Sequence, residues 1–304
     1  MAEPEKIPPV GEVRSPGMDH VHHAFRTLTE APRFAWPDGA RIAFTLTLIL
    51  DYWEVNPPKD ANPDPRIVSP LGKFFPDWLT WSQREYGARV GIFRVLEALD
   101  RFGVTPSVAL GAAAAKRYPE LVDELVRRNA CFMAHGTFAS RRITSRMSDR
   151  EERAFIIESR DAVRTATGGA PLGWCGQDFN ESERTPSLLA EAGFNYTMDW
   201  ASDDRPFLLG RHLIALPPQP EWNDLECMWL RRVPPSVWAD NIADAFGFLH
   251  DEGGTCFNLT LHPWIAGQAH RIRWLRDALS RILGRTEIWR TTTDELAQAA
   301  RRQL

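Results

Sequence analysis

The chain lacks paired cysteines. Its four, Cys131, Cys175, Cys227 and Cys256, stand singly with no CxxC spacing, which argues against a disulfide framework and against a thiolate zinc site. Cysteine's preference for burial weighs against a reactive Cys175. No apolar run reaches the roughly eighteen residues that a membrane span needs. The start, Met1-Ala2-Glu3-Pro4-Glu5-Lys6, has neither the basic nor the apolar region of a secretory signal. An excess of positive charge is also missing, with a formal net charge of −4, so the electrostatic footprint of a nucleic-acid or anionic-membrane binder is absent. These absences lead us to expect a soluble cytoplasmic protein that acts on a small molecule, with no nucleic-acid or membrane partner and a homo-oligomeric state.

What is present is length and rhythm. With 304 residues the chain can bury the core of one large α/β domain. Short apolar runs at 41–50, 104–110, 130–134, 194–199, 213–216, 256–261 and 286–290 alternate with helical patterns near 88–102, 119–129, 148–167, 184–192, 236–251, 269–284 and 292–302. Ser148 with Glu151 and Thr292 with Glu295 have capping-box spacing, in which side chains satisfy the first free amides of a helix. This alternation predicts a mainly parallel sheet, open or closed into a barrel, and no linker interrupts it. Residues 1–35 carry prolines and charges without a periodic pattern and read as an extended N-terminal arm, leaving 36–304 as the catalytic domain. His20, His22 and His23 in that arm have metal-ligand spacing, but on a flexible arm they are expected to be solvated.

Three strands end on side chains suited to chemistry. Arg41 to Leu50 sets Phe44, Leu46, Leu48 and Leu50 against Thr45 and Thr47, and stops at Asp51. Ala130 to Ala134 stops at His135-Gly136, and Cys256 to Leu261 delivers His262-Pro263-Trp264. One carboxylate and two imidazoles at strand exits suit acid/base or metal-assisted hydrolysis, and core packing does not account for them. The proline- and aromatic-rich segment Tyr52 to Tyr86 follows Asp51 directly and is too long for a passive connection, so it is expected to form a lid or a pocket wall. Of the twelve tryptophans, Trp53, Trp78, Trp81, Trp174, Trp222 and Trp264 fall in expected loops and could line a flat, partly apolar pocket.

Asp51, the His135-Gly136 turn, Pro171-Leu172-Gly173-Trp174 and Leu261-His262-Pro263, in this order and spacing, resemble the polysaccharide deacetylase (NodB-homology) superfamily. The likeness is greatest to its intracellular branch of allantoinases and cyclic imide hydrolases. Trp36-Pro37, Tyr86-Gly87-Ala88-Arg89, Asp203 to Phe207 and Asn223-Asp224 support the resemblance, which spans about residues 34 to 300. It implies an α/β fold of the distorted (β/α) barrel type and hydrolysis of amide C–N bonds, with or without a divalent metal.

Carried over residue by residue, the resemblance makes Asp51 the general base, with Tyr52 where the family has a second, metal-binding Asp and Glu54 as its nearest replacement. Asp51 and His135 would be metal ligands, yet the second histidine of the family's His-x-x-x-His motif is Ala139 here. A catalytic zinc normally has three protein ligands, so Glu54 or Asp178 would have to complete the site, and no tightly bound cofactor is the expectation, with zinc the alternative. The stretch around Trp174 and Cys175 would offer backbone amides to an oxyanion, with Asp178 beyond it facing substrate. His262 would be the general acid, held in one tautomer by a carboxylate, Asp224 rather than Glu221. Trp264, Gln268 and Arg271 would contact substrate or brace the loop. The expected substrate is a small cyclic amide, imide or ureide, or an acylated metabolite; the alternatives are an N-acetyl sugar deacetylase and a degenerate member that binds without turnover.

Overall fold

The computed structural model describes residues 20–59, 61–67 and 74–304. Nine strands among these residues form one sheet: β1 (Ile42–Leu50), β2 (Ser107–Leu110), β3 (Cys131–Ala134), β4 (Gly173–Trp174), β5 (Tyr196–Thr197), β6 (Phe207–Leu209), β7 (Leu213–Ala215), β8 (Thr255–Leu261) and β9 (Ile288–Arg290). Their order is β6-β7-β5-β4-β3-β2-β1-β8, with β9 paired to the start of β1, and only the β6–β7 pair is antiparallel. Helices between the strands cover the outside, as parallel crossovers require. The sheet curls without closing, because β8 ends the order and among the described residues no strand lies beyond it. Gln219 occupies part of that seam: its Oε1 accepts the Asn258 N–H at 3.1 Å and its Nε2 donates to the Cys256 carbonyl at 3.2 Å. Those are bonds that a neighbouring strand would otherwise supply. The result is the expected distorted (β/α) barrel.

Period-two alternation sorts the strand residues into two cores. Phe44, Leu46, Leu48 and Leu50 of β1, with Phe257, Leu259 and Leu261 of β8, belong to the large core against the helices. Ala43 and Ile49, with Met133 of β3, Cys175 after β4 and Cys256 of β8, belong to a smaller core inside the curl. Each fully buried aliphatic side chain in these layers contributes about 1.5–3 kcal/mol. Between them on the inner face, Asn258 donates to Thr45 at 2.7 Å and Thr47 at 3.1 Å and accepts from Thr260 at 2.9 Å. Polar β-branched residues can be buried there because each is satisfied by its neighbour. The same alternation carries Asp51, His135 and His262 onto the inner side at the C-terminal mouth of the curl.

Each apolar run in the sequence coincides with a strand. β4 and β6 lie outside those runs, and the helices Trp78–Tyr86, Ala112–Arg117 and Pro263–Ala266 lie outside the expected helical stretches. β4 has only two residues and begins on Gly173, where a Cβ would lie 2.1 Å from Tyr196 Cζ. A strand built to admit a neighbouring ring carries no apolar run of its own. Residues 1–19 of the expected arm lie outside the described residues. Its His20–His23 segment lies on the body, with the rings of His20, His22 and His23 5.3, 5.5 and 5.6 Å from that of Trp200 and the His22 carbonyl bonded to the Gly210 N–H at 2.7 Å, whereas residues 25–30 are exposed. The expectation that this cluster is solvated therefore fails at His22, which is buried.

Candidate active site

A cleft opens where β1, β3 and β8 end, in the place where parallel α/β sheets hold their ligands. Asp51, His135 and His262 all line it, with Trp53, Ile67, Ala139, Asp178, Leu225 and Trp264 among the surrounding walls.

His262 is fixed from both its backbone and its ring. The Asp224 carboxylate, fully buried, accepts the His262 N–H at 2.8 and 3.0 Å and lies 2.8 Å from Nδ1. A carboxylate can only accept, so Nδ1 carries a proton and Nε2 is left for the cleft. Glu221, the other carboxylate of that stretch, is spent on Arg231 at 2.6 Å. The loop after His262 is pinned by close backbone approach: a Cβ on Gly91 would lie 2.1 Å from the Pro263 carbonyl oxygen, and one on Gly87 2.7 Å from the Trp264 nitrogen. This is the physical reason for glycine in the Tyr86-Gly87-Ala88-Arg89 stretch.

His135 is buried, and its Nδ1 donates to the Cys175 carbonyl at 2.6 Å. Burial pushes its imidazole below the ordinary value against the pull of Asp51. The ring is therefore neutral at neutral pH, with an Nε2 lone pair. No protein hydrogen bond occupies the Asp51 carboxylate among the described residues, so its lone pairs are free to accept from water.

The wall opposite is the turn Gln177–Phe179. Gln177 Nε2 donates to the His135 carbonyl at 2.6 Å, and Asn180 donates to the Ile143 carbonyl. Asp178 and Phe179 both adopt left-handed backbone, φ 56° and 55°, which costs about 1 kcal/mol or more for each and is tolerated where the surroundings over-determine it. Asp178 Oδ2 has no hydrogen-bond partner and lies 3.7 Å from Arg142. Burial, with Asp64 and Asp51 adding to it against Arg142, pushes the Asp178 carboxyl up to about 7.

That displacement has a stability consequence. The folded value lies above the ordinary 3.8, so between about pH 4 and 7 the native state holds a proton that the unfolded chain has released. Stability is then lost as pH rises through this window and stays low above it. Asp178→Asn removes the ionisation and is expected to stabilise the fold at pH 8 by on the order of 1–3 kcal/mol, with little change at pH 4. Thermal melts followed by circular dichroism check this. A variant no more stable than the parent at pH 8 would show that Arg142 holds the carboxylate ionised.

Other expected site residues lie elsewhere. Trp174 faces the helices, its ring 6.4 Å from Phe155 and 5.7 Å from Phe194, because it has the opposite parity to Cys175 on its strand. Cys175 is wholly buried, its thiol held well above the ordinary value by burial, and its N–H is spent on the Ala134 carbonyl at 2.9 Å. The Gly176 N–H is spent on Asp199 at 2.7 Å. The expected backbone oxyanion donors on this stretch are thus already satisfied. Glu54 is turned away into a pair with Arg141 at 2.7 Å and a bond from Ser140, because these cations and hydroxyls flank it on the loop wall. Gln268 donates to the Trp264 carbonyl at 3.1 Å and Arg271 to that of Ile265 at 3.5 Å; both brace the His262 loop and neither lines the cleft. Trp53 and Trp264 are cleft walls, whereas Trp78 is 59 % exposed and Trp222 stacks on Phe257 at 4.8 Å.

The donor set does not fit a three-ligand zinc site. Ala139 lines the cleft where an imidazole would have to stand, Glu54 is occupied, and among the described residues no group of three or more His, Cys, Asp or Glu side chains is placed to hold a metal ion. Sequence reasoning also missed Arg84, which lies in the helix Trp78–Tyr86 and stacks on Trp264 with its guanidinium carbon 3.4 Å from the ring centre. The only sequence signal was that helix's place inside the long segment after Asp51.

No family model matches the chain, and no curated protein matches it in sequence. Solved structures do match its fold. A Pseudomonas aeruginosa PAO1 protein assigned as a polysaccharide deacetylase superposes with a TM-score of 0.79 at 22% identity, covering 90% of this chain and 96% of its own. PuuE allantoinase gives 0.78 at 23%, covering 89% and 94%, and a Mycobacterium smegmatis protein assigned as a polysaccharide deacetylase gives 0.75 at 23%, covering 90% and 94%. The fold of this chain is that of the polysaccharide deacetylases and PuuE allantoinase, in agreement with its sequence resemblance to the NodB-homology superfamily.

Proposed function

We propose that the chain hydrolyses a C–N bond of a small cyclic amide, imide or ureide. The observation that carries this reading is the convergence of Asp51, His135 and the Asp224-held His262 on one cleft. Asp51, with its lone pairs free, takes a proton from a water that attacks the carbonyl carbon. His262 delivers a proton from Nε2 to the departing nitrogen while Asp224 stabilises the charged ring. Asp178 on the same wall, whose carboxyl burial raises to about 7 and whose Oδ2 has no hydrogen-bond partner, is in its protonated form a donor for the developing oxyanion. Trp53, Ile67, Phe179, Leu225 and Trp264 make the walls largely apolar, which suits a flat ring better than a hydrated sugar chain.

The test is a substrate panel of succinimide, hydantoin, allantoin and N-acetylglucosamine oligomers on protein purified without chelator. Ring opening of an imide or ureide is expected. Acetate release from the sugars alone would turn the reading to a deacetylase. Ala139 also favours a second reading, a protein that binds without turnover, and saturable binding of a panel member with no product would establish it.

The same position yields a prediction about metal. With two matched ligands at most, the purified protein is expected to hold well under one equivalent of zinc, and chelation is expected to leave most of its activity. Ala139→His adds an imidazole four residues after His135 and is expected to raise zinc uptake. Elemental analysis decides it, and one full equivalent of zinc in the unaltered chain would overturn the metal-independent reading.

A further inference from the structure

Arg84 is a buried cation without an anion. It is 7 % exposed, and its guanidinium carbon stands 3.4, 5.1 and 5.3 Å from the ring centres of Trp264, Trp53 and Trp229. Its Nη2 donates to the Ile67 carbonyl at 3.2 Å, but Nε and Nη1 have no acceptor. Among the described residues it forms no ion pair, whereas Arg66 and Arg142 nearby face Asp64 at 2.8 Å and Asp178 at 3.7 Å. Three of its four neighbours, Trp53, Trp264 and Ile67, line the cleft that holds Asp51. Taking a guanidinium out of water is expensive, and ring faces and one carbonyl repay only part of that. Burial accordingly pulls this arginine down to about 9, with Asp51 and Asp178 opposing it from across the cleft.

Arg84 does not itself line the cleft: it stands directly behind Trp53, Ile67 and Trp264, with Nε and Nη1 shielded from solvent. A preorganised, desolvated donor left unmatched one layer behind a cleft wall is the arrangement that a ligand parting that wall completes. We infer that Arg84 is the anion receptor behind the cleft, and that the preferred ligand carries one carboxylate which reaches Nε and Nη1 by parting the aromatic wall of Trp53 and Trp264. A single charge fits better than a phosphate dianion, because one unmatched cation shares the site with the Asp51 carboxylate. The inference deepens the proposed hydrolysis, since opening a cyclic imide or ureide produces a carboxylate in place. It also stands apart from that reading, because binding is measured without turnover.

The probes are succinamate and succinamide, which differ only in one terminal carboxylate, titrated against the tryptophan fluorescence of the full chain. Succinamate is expected to bind at least tenfold more tightly than succinamide. Arg84→Met is expected to abolish that preference while leaving succinamide affinity within about twofold, and Arg84→Lys to retain part of it, since an ammonium keeps the charge but loses the planar donor set. If Arg84→Met does not fold, the comparison of the two probes on the unaltered chain and on Arg84→Lys still decides. Equal affinity for both probes in the unaltered chain, or an undiminished preference in Arg84→Met, overturns the inference and leaves Arg84 a packing group. Tighter binding of inorganic phosphate than of succinamate overturns the assignment to a carboxylate. Failure of the substrate panel with succinamate preference intact would remove the hydrolase and keep the receptor.

Discussion

His262→Ala is expected to lower kcat by about a hundred- to ten-thousand-fold, the usual worth of a positioned general acid, while KM changes by only a few fold. The ring is partly buried and is held at Nδ1 by Asp224 at 2.8 Å, so its contribution belongs to proton delivery. Removing it leaves Asp51, His135 and the aromatic walls in place. Asp224→Asn is expected to lower kcat as well, by removing the charge that stabilises the imidazolium and by allowing the other tautomer. Because Asp224 also accepts the His262 N–H at 2.8 and 3.0 Å, some of that loss comes from displacement of the loop. The two effects separate in the double variant: groups that act as one unit lose little more together than singly. Steady-state kinetics on any substrate that the panel identifies, with circular dichroism to verify folding, measure all three. Retention of full kcat by His262→Ala would make the imidazole structural.

How far the site was readable follows from the strands that carry it. β1 and β8 are long, and their alternation of Phe44, Leu46, Leu48 and Leu50 with Thr45 and Thr47 fixes which face is inward. Counting two residues at a time then sends Asp51 and His262 to the inner mouth, and β3 does the same for His135. β4 offers no such ruler. Two residues give no period, so nothing in Gly173-Trp174-Cys175-Gly176 shows that Trp174 points to the helices and Cys175 inward. Nor can a sequence show that the Cys175 and Gly176 amides are already spent, since their acceptors, Ala134 and Asp199, lie about 40 and 23 positions away in the chain. Glu54 failed for a related reason: proximity to Asp51 in sequence suggested a ligand, and the partners that remove it, Ser140 and Arg141, are supplied by a different loop.

Arg84 and Asp178 were hidden by chemistry rather than by distance. An arginine in a helix with a mostly polar sequence reads as a solvated surface residue, and only the meeting of Trp53, Trp229 and Trp264 around it makes it a buried one. The three rings come from three separate segments, so no local pattern announces the cage. For Asp178 the residue was visible but its state was not: left-handed backbone and burial beside Asp64 and Asp51 turn an ordinary carboxylate into a group able to donate.

Asp51→Asn is expected to lower kcat by about a hundred- to ten-thousand-fold, with the fold intact, because the amide has the volume of the carboxylate but no lone pair basic enough to take a proton from water. The position tolerates the change sterically: Asp51 is only partly buried, and no protein donor is bonded to its carboxylate among the described residues. Asp51→Glu is the sharper comparison. It restores the charge and basicity but moves the carboxylate by one methylene, about 1.5 Å, and a misplacement of that size costs on the order of a hundredfold. An Asp51→Glu loss much smaller than that of Asp51→Asn therefore assigns the effect to basicity, and equal losses assign it to position. The readout is kcat for the three proteins across pH 5 to 9, each with and without added zinc. If Asp51→Asn keeps most of the activity, water is activated elsewhere, and the neutral His135, whose Nε2 lone pair shares the cleft, is the group to replace next.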